Sequence, residues 1–139
     1  MNILVLGGDG YIGSVLVPYL KEKGDSVVVF DNILYGQKTD SVCGDIRNID
    51  LLYPHIQKAD AIVHLAGLSN DPLCELRPSL TWEINFKANE MLAHLLQYTG
   101  KRIVFASSCS VYGFSDKEFN EDSFLHPQTL YAQTKVLSE

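Results

Sequence analysis

Apolar residues recur along this chain in two alternating rhythms. The run Ile3-Leu4-Val5-Leu6 is too short for a helix and suits a strand buried on both faces, as in a parallel sheet. Ser26-Val27-Val28-Val29-Phe30 reads the same way, Ser41-Val42-Cys43 reads as a short third strand, and Ala61–Gly67 and Lys101–Ala106 complete five. Between them the period lengthens. Ile12, Val15, Leu16, Tyr19 and Leu20 share one face of a helix over 11–23, which Pro18 should bend and Gly24 should end. Asn48 or Asp50 caps a second helix carrying Leu51, Leu52, His55 and Ile56, with His55 at the surface. A long helix over 80–98 bears Ile84, Ala88, Met91, Leu92, Leu95 and Leu96 along one side, and a last helix follows Pro127 and Thr129. Segments 32–39 and 68–78 read as polar, turn-rich loops. Strand and helix in strict alternation predict an α/β fold with a doubly wound parallel sheet.

With 139 residues, 46% hydrophobic and 20% charged, the chain has the size and composition of one globular domain. A net charge of −6 argues against nucleic acid or an anionic membrane as partner, since either needs a basic face. Cys43, Cys74 and Cys109 follow no paired or metal-ligand spacing, so reduced thiols, a cytoplasmic setting and no bound metal are expected. The N-terminus lacks a basic leader, and no stretch approaches the ~18 apolar residues of a membrane span.

The candidate chemistry sits at the ends of the strands. After the first strand come Gly7-x-x-Gly10-x-x-Gly13: Gly7 for a tight turn, Gly10 for close approach of a pyrophosphate, Gly13 for a helix lying close to its strand. The free N–H groups of Gly10, Tyr11, Ile12 and Gly13 at that helix start favour an anion. Asp31 ends the second strand about 20 residues on, where an acid can hold an adenosine ribose and repel a 2′-phosphate, which points to NAD rather than NADP. Asp45-Ile46 either borders an adenine ring or closes a surface turn. His64, inside an apolar run, reads as a hydrogen-bonded core residue. Leu65, Ala66 and Gly67 lie at the carboxyl end of the fourth strand, where open α/β sheets hold ligands. Cys109 reads as a small buried residue at a strand end.

Tyr131 and Lys135 stand four apart on the last helix and share a face. An ammonium there would lower the phenol pKa, so that Tyr131 could act as general base toward a hydroxyl positioned by Ser108.

Together these motifs resemble the N-terminal part of an extended short-chain dehydrogenase/reductase, in the nucleotide-sugar epimerase/dehydratase group. They are Gly7-x-x-Gly10-x-x-Gly13, Asp31-Asn32, Asp45-Ile46, His64-Leu65-Ala66-Gly67, Asn85, Ser107-Ser108-Cys109-Ser110-Val111-Tyr112-Gly113 and Tyr131-x-x-x-Lys135. The resemblance implies a Rossmann-type NAD-binding fold. It puts Asp31 and Asn32 at the adenosine ribose, Asp45 and Ile46 at the adenine, and Leu65, Ala66 and Gly67 under the middle of the dinucleotide. Ser107 and Asn85 fall beside the cofactor, and Lys135 on the nicotinamide ribose. Ser108, Tyr131 and Lys135 form the implied catalytic set, and the implied substrate is a nucleotide-activated sugar. Dehydratases of this group place an Asp-Glu pair where this chain has Cys109-Ser110, so epimerisation is favoured over dehydration or reduction, and over a non-catalytic NAD sensor. Ser69 stands where some 4-epimerases carry a lysine. The resemblance also implies a homodimer and further substrate-binding structure beyond residue 139. The chain is therefore expected to be an incomplete dinucleotide-binding domain, 1–139, ending in its catalytic helix, with weak NAD binding and little turnover by itself.

Overall fold

The computed structural model describes residues 1–116 and 118–139. It contains strands β1 (Asn2–Leu6), β2 (Ser26–Asp31), β3 (Val42–Cys43), β4 (Ala61–His64) and β5 (Arg102–Phe105). All pair in parallel, in the order β3-β2-β1-β4-β5. β1, with an unbroken run of four aliphatic residues, takes the middle, with Leu4, Val5 and Leu6 at 1% exposure or less. β5 has β4 alone as neighbour and leaves Ile103 and Val104 half exposed.

Two compact units make up the chain. The first, Met1–Gly67 with Leu95–Ala106, holds the sheet, α1 (Gly13–Glu22) and α2 (Ile49–Lys58). Alternation along β1 and β2 sends Ile3, Val5, Val27 and Val29 to one face, where they pack with Val17 and Leu20 of α1. Phe30 points the other way, and its ring lies 6.0 Å from that of His55 on α2, so the sheet is covered on both faces. His55, expected at the surface, is therefore half-buried. Each fully buried aliphatic side chain here contributes about 1.5–3 kcal/mol of transfer free energy. α1 runs on through Pro18, which lies on its exposed side. Asn48 caps α2 through its side chain, accepting from Leu51 N.

The second unit, Leu68–His94 with Ser107–Glu139, is helical. It contains α3 (Asp71–Leu76), α4 (Pro78–Trp82), a π-helical turn (Glu83–Lys87), most of α5 (Ala88–Leu96), a 3-10 turn (Cys109–Tyr112) and α6 (Leu130–Ser138). Segment 68–78 is thus not the expected loop. Asn70-Asp71-Pro72 reads as a turn, but the same residues start a helix: Asn70 accepts from Leu73 N, Asp71 puts an acid in the first turn, and Pro72 occupies a position where no N–H is needed. The single long helix expected over 80–98 is interrupted at Asn85 by the wider π turn.

The glycine turn yields a stability prediction. A Cβ on Gly13 would overlap Gly8 backbone, at 2.5 Å from Cα and 2.6 Å from C, whereas a Cβ on Gly10 would meet only Gly7 O, at 3.2 Å. Gly13→Ala is expected to lower the urea-unfolding free energy by about 3 kcal/mol or more, and Gly10→Ala by about 1 kcal/mol or less. Equal midpoints for the two variants would contradict this reading of the turn.

Candidate functional site

The glycine turn of the first unit is shaped by backbone contact. Gly7 takes a φ of +79°, and a Cβ there would lie 2.6 Å from Ala66 N, so the end of β1 touches the end of β4 with no room for a side chain. Gly10 is different, because among the described residues a Cβ there would meet Gly7 O alone, at 3.2 Å. Ser14 N opens the helical ladder on Gly10 O, and among the described residues no group accepts from the N–H of Tyr11, Ile12 or Gly13. The first turn of α1 carries no acid, and the side chains of Tyr11 and Ile12 stand clear at 93% and 57% exposure. Orphan donors and an open cradle above a glycine are the features a bound pyrophosphate requires, so this turn fits a dinucleotide.

Asp31, at the end of β2, is half-buried and already oriented: Oδ2 accepts from Asp9 N at 3.0 Å and Oδ1 from Ile33 N at 2.8 Å. The second bond holds Ile33 at a φ of +59°. A β-branched residue in that region costs on the order of 1–3 kcal/mol, and such strain collects where ligands are clamped. Asn32 Oδ1 accepts from Leu34 N, Leu65 N donates to Leu6 O, and Gly67 is exposed. Asp45 is engaged by Arg47, whose Nη2 lies 2.6 Å from Oδ2, and this bond is the main reason its carboxyl sits below the usual range. Ile46 is buried. His64 is buried with its ring 5.6 Å from that of Phe105, as a core residue should be.

Asp9 went unnoticed in the sequence. It lies inside the glycine turn yet is 2% exposed, its carboxylate accepting from Ser41 Oγ at 2.6 Å and Lys38 N at 3.1 Å. Burial pushes its carboxyl up, and hydrogen bonding from Ser41, Thr39 and Lys38 together more than reverses this, leaving it below the usual carboxylate range. The only signal available was an acid placed among glycines, which alone does not name a partner.

In the second unit α6 is fastened at both ends. Thr129 Oγ1 caps Ala132 N and donates to Asp71 Oδ1 at 2.7 Å, while Glu75 Oε1 accepts from Leu130 N at 2.9 Å. Toward the other end, Ser138 Oγ donates to Asn85 O at 2.9 Å, a carbonyl in the π turn. Asn89 Nδ2 reaches the same carbonyl and Ser138 Oγ. The Asn85 side chain is wholly engaged by Leu68, accepting from its N and donating to its O, both at 2.8 Å, so Asn85 holds the segment that follows β4.

Tyr131 and Lys135 come together on α6 with Nζ 5.6 Å from the ring centroid. Lys135 is 7% exposed, and burial lowers its pKa. Burial likewise pushes the Tyr131 phenol up, and the hydrogen bond with Ser108 recovers only part of that. The net direction is upward despite the nearby ammonium, contrary to the sequence expectation, because both groups are desolvated together. Ser108 Oγ accepts from Ser110 N at 3.2 Å and Ser110 Oγ at 2.9 Å. With both lone pairs used, its own proton is what remains to give. Ser110, not singled out in the sequence, thereby sets the role of Ser108. Ser107 Oγ donates to Glu139 Oε1. Cys109 is exposed, not buried as expected, since the 3-10 turn it begins carries it outward; Cys74 is the buried thiol.

A model of the NAD dependent epimerase/dehydratase family matches residues 3–139. The UDP-glucose 4-epimerase GEPI42 of Cyamopsis tetragonoloba is 34% identical, in an alignment covering 99% of this chain and 45% of that relative. Among solved structures, UDP-glucose 4-epimerase from Brucella ovis in complex with NAD matches with a TM-score of 0.89 at 29% identity, over 99% of this chain and 45% of its own. MoeE5 in complex with UDP-glucose and NAD matches with a TM-score of 0.88 at 30% identity, over 99% and 46%. The chain thus spans a little under half the length of the proteins it matches. Its Rossmann-type parallel sheet, its glycine turn and a family match along almost its entire length agree, and the chain belongs to the NAD dependent epimerase/dehydratase family.

Proposed function

We propose that residues 1–139 supply the NAD-binding and catalytic groups of a 4-epimerase acting on a UDP-hexose. The observation that carries this reading is the set Ser108, Tyr131 and Lys135, gathered and desolvated in the second unit. The names of the relatives support the substrate class. In the first unit, the N–H groups of Tyr11, Ile12 and Gly13 would bind the pyrophosphate beside Gly7 and Gly10, and Asp31 with Asn32 the adenosine ribose. Asp45, Ile46, Leu65, Ala66 and Gly67 would line the remainder of the first unit's share, and in the second unit Ser107 and Asn85 are the further cofactor residues that the family resemblance implies. NAD, when bound, supplies the acceptor for a hydride from the sugar carbon and the donor that returns it.

The chain's own part is proton management. Ser108 donates to the sugar C4 oxygen and fixes its position. Tyr131, as phenolate, takes the hydroxyl proton while hydride leaves the same carbon, giving a ketone, and returns that proton when hydride comes back to the opposite face. Lys135 stabilises the phenolate and offers its ammonium to the nicotinamide ribose. A phenol held above its usual pKa is scarcely ionised near neutral pH, so Lys135 must keep its proton to favour the phenolate that the step needs.

Tyr131→Phe is expected to lower epimerisation of UDP-glucose about 10²- to 10⁴-fold while leaving NAD affinity within a factor of about three. Unchanged turnover would reject the assignment. Gly10→Ala should fold and yet lose at least about tenfold in NAD affinity by titration calorimetry, because its methyl occupies the cradle. Lys135→Met tests the buried cation. Its pKa is lower folded than unfolded, so the unfolded chain holds more protons in the window between that lowered value and about 10.4, and wild-type stability rises with pH across it. The variant should therefore be at least as stable as wild type near neutral pH, with the difference closing as pH approaches about 10. A variant less stable at neutral pH would show the cation to be a net stabiliser.

A further inference from the structure

Asp9 belongs to none of the roles above, yet it is an acid buried to 2% exposure. Its backbone N–H donates to Asp31 Oδ2 and its side chain accepts from Lys38 N and Ser41 Oγ. One residue thereby joins three stretches: the glycine turn, the acid at the end of β2, and the far end of segment 32–41. That segment is short of other fastenings. Residues 34–38 are exposed, and beyond local bonds within it, Leu34 N to Asn32 Oδ1 and Gly36 N to Ile33 O, the segment is held at Ile33, in the left-handed region, by Asp31 Oδ1. A strained segment closed by a buried carboxylate behaves as a latched strap.

The strap follows directly from Asp31, the residue that reads the adenosine ribose in the function proposed above, and this inference rests on that reading. Its one cation, Lys38, is balanced by Asp40, so Asp9 and Asp31 remain as uncompensated negative charges at this end of the turn. In the latched state the Lys38 backbone is drawn in to Asp9, which fixes where that cation can reach. We propose that Asp9 is a positioning residue for dinucleotide choice: by latching segment 32–41 through Lys38 and Ser41 it keeps the surroundings of Asp31 acidic and closed, so that a ribose 2′-hydroxyl is accepted and a 2′-phosphate is refused. Release of the latch removes the constraint on the strap and lets Lys38 turn toward a 2′-phosphate.

Two variants separate this from a general loss of structure. Asp9→Asn removes the charge and keeps the size; Ser41→Ala removes the shortest bond of the latch and keeps the charge. Limited trypsin digestion without any dinucleotide, followed by mass spectrometry of the Lys38–Thr39 bond, reads the strap itself. Both variants are expected to be cut there at least about tenfold faster than wild type. Titration with NAD and with NADP then reads selectivity. In both variants the ratio of NADP to NAD affinity should rise about tenfold, a change that a merely structural role would not produce, since it would weaken both ligands alike. Unchanged cleavage at Lys38, or equal loss of NAD and NADP, overturns the proposal. If the wild-type chain binds neither dinucleotide, the functional reading above falls and the selectivity claim with it, while the digestion still decides the latch.

Discussion

At the carboxyl end of β1 the backbone comes so close to two other stretches of backbone that no side chain fits between them. Gly7 lies against Ala66 at the end of β4, and Gly13, starting α1, lies against Gly8. This double approach seats the start of α1, where the N–H groups of Tyr11, Ile12 and Gly13 have no acceptor among the described residues, and it brings β1 and β4 to a common edge. The sheet order, with the most apolar strand in the middle, is what makes the approach stable: Val5, Val17 and Val29 are almost wholly buried just behind it. Unpaired donors at a helix start carry a cost in unsatisfied hydrogen bonds, and the packed sheet behind them offsets that cost.

The second unit meets a different constraint. Half-buried Tyr131 and buried Lys135 stand together on α6, and burial opposes the charged form of each. Their helix is held by polar bonds at each end, through Asp71 and Glu75 at its start and through the carbonyl of Asn85 near its finish. The π turn serves this arrangement, because Asn85 both presents its carbonyl to Ser138 and clamps Leu68 with its side chain. Such a site trades stability for chemistry, the usual pattern where ionisable groups are kept out of water.

Much of this was legible in the chain. Short continuous apolar runs located all five strands, and apolar spacing of three to four most helices, because burial in a parallel sheet leaves little choice of residue type. Spacing also found the glycine turn, Asp31 and the pair Tyr131 and Lys135. What escaped were features set by contacts distant in sequence. Asp9 is defined by Ser41, 32 positions away, and the anchoring of α6 by Asp71 and Glu75 by bonds spanning 58 and 55 positions. Helix α3 was hidden by ambiguity, since Asn-Asp-Pro serves a turn and a helix start equally well. The exposure of Cys109 and the upward direction of the Tyr131 phenol depend on burial, which no local pattern reports.

The central claim is that the glycine turn presents its unpaired amides to a dinucleotide. Amide chemical-shift mapping of the isotopically labelled chain during titration with NAD tests it most directly. The account predicts saturable shifts that are largest at the amides of Tyr11, Ile12 and Gly13, with a second group around Asp31. Saturable binding whose shifts spare those three amides, or no binding at all, would contradict it.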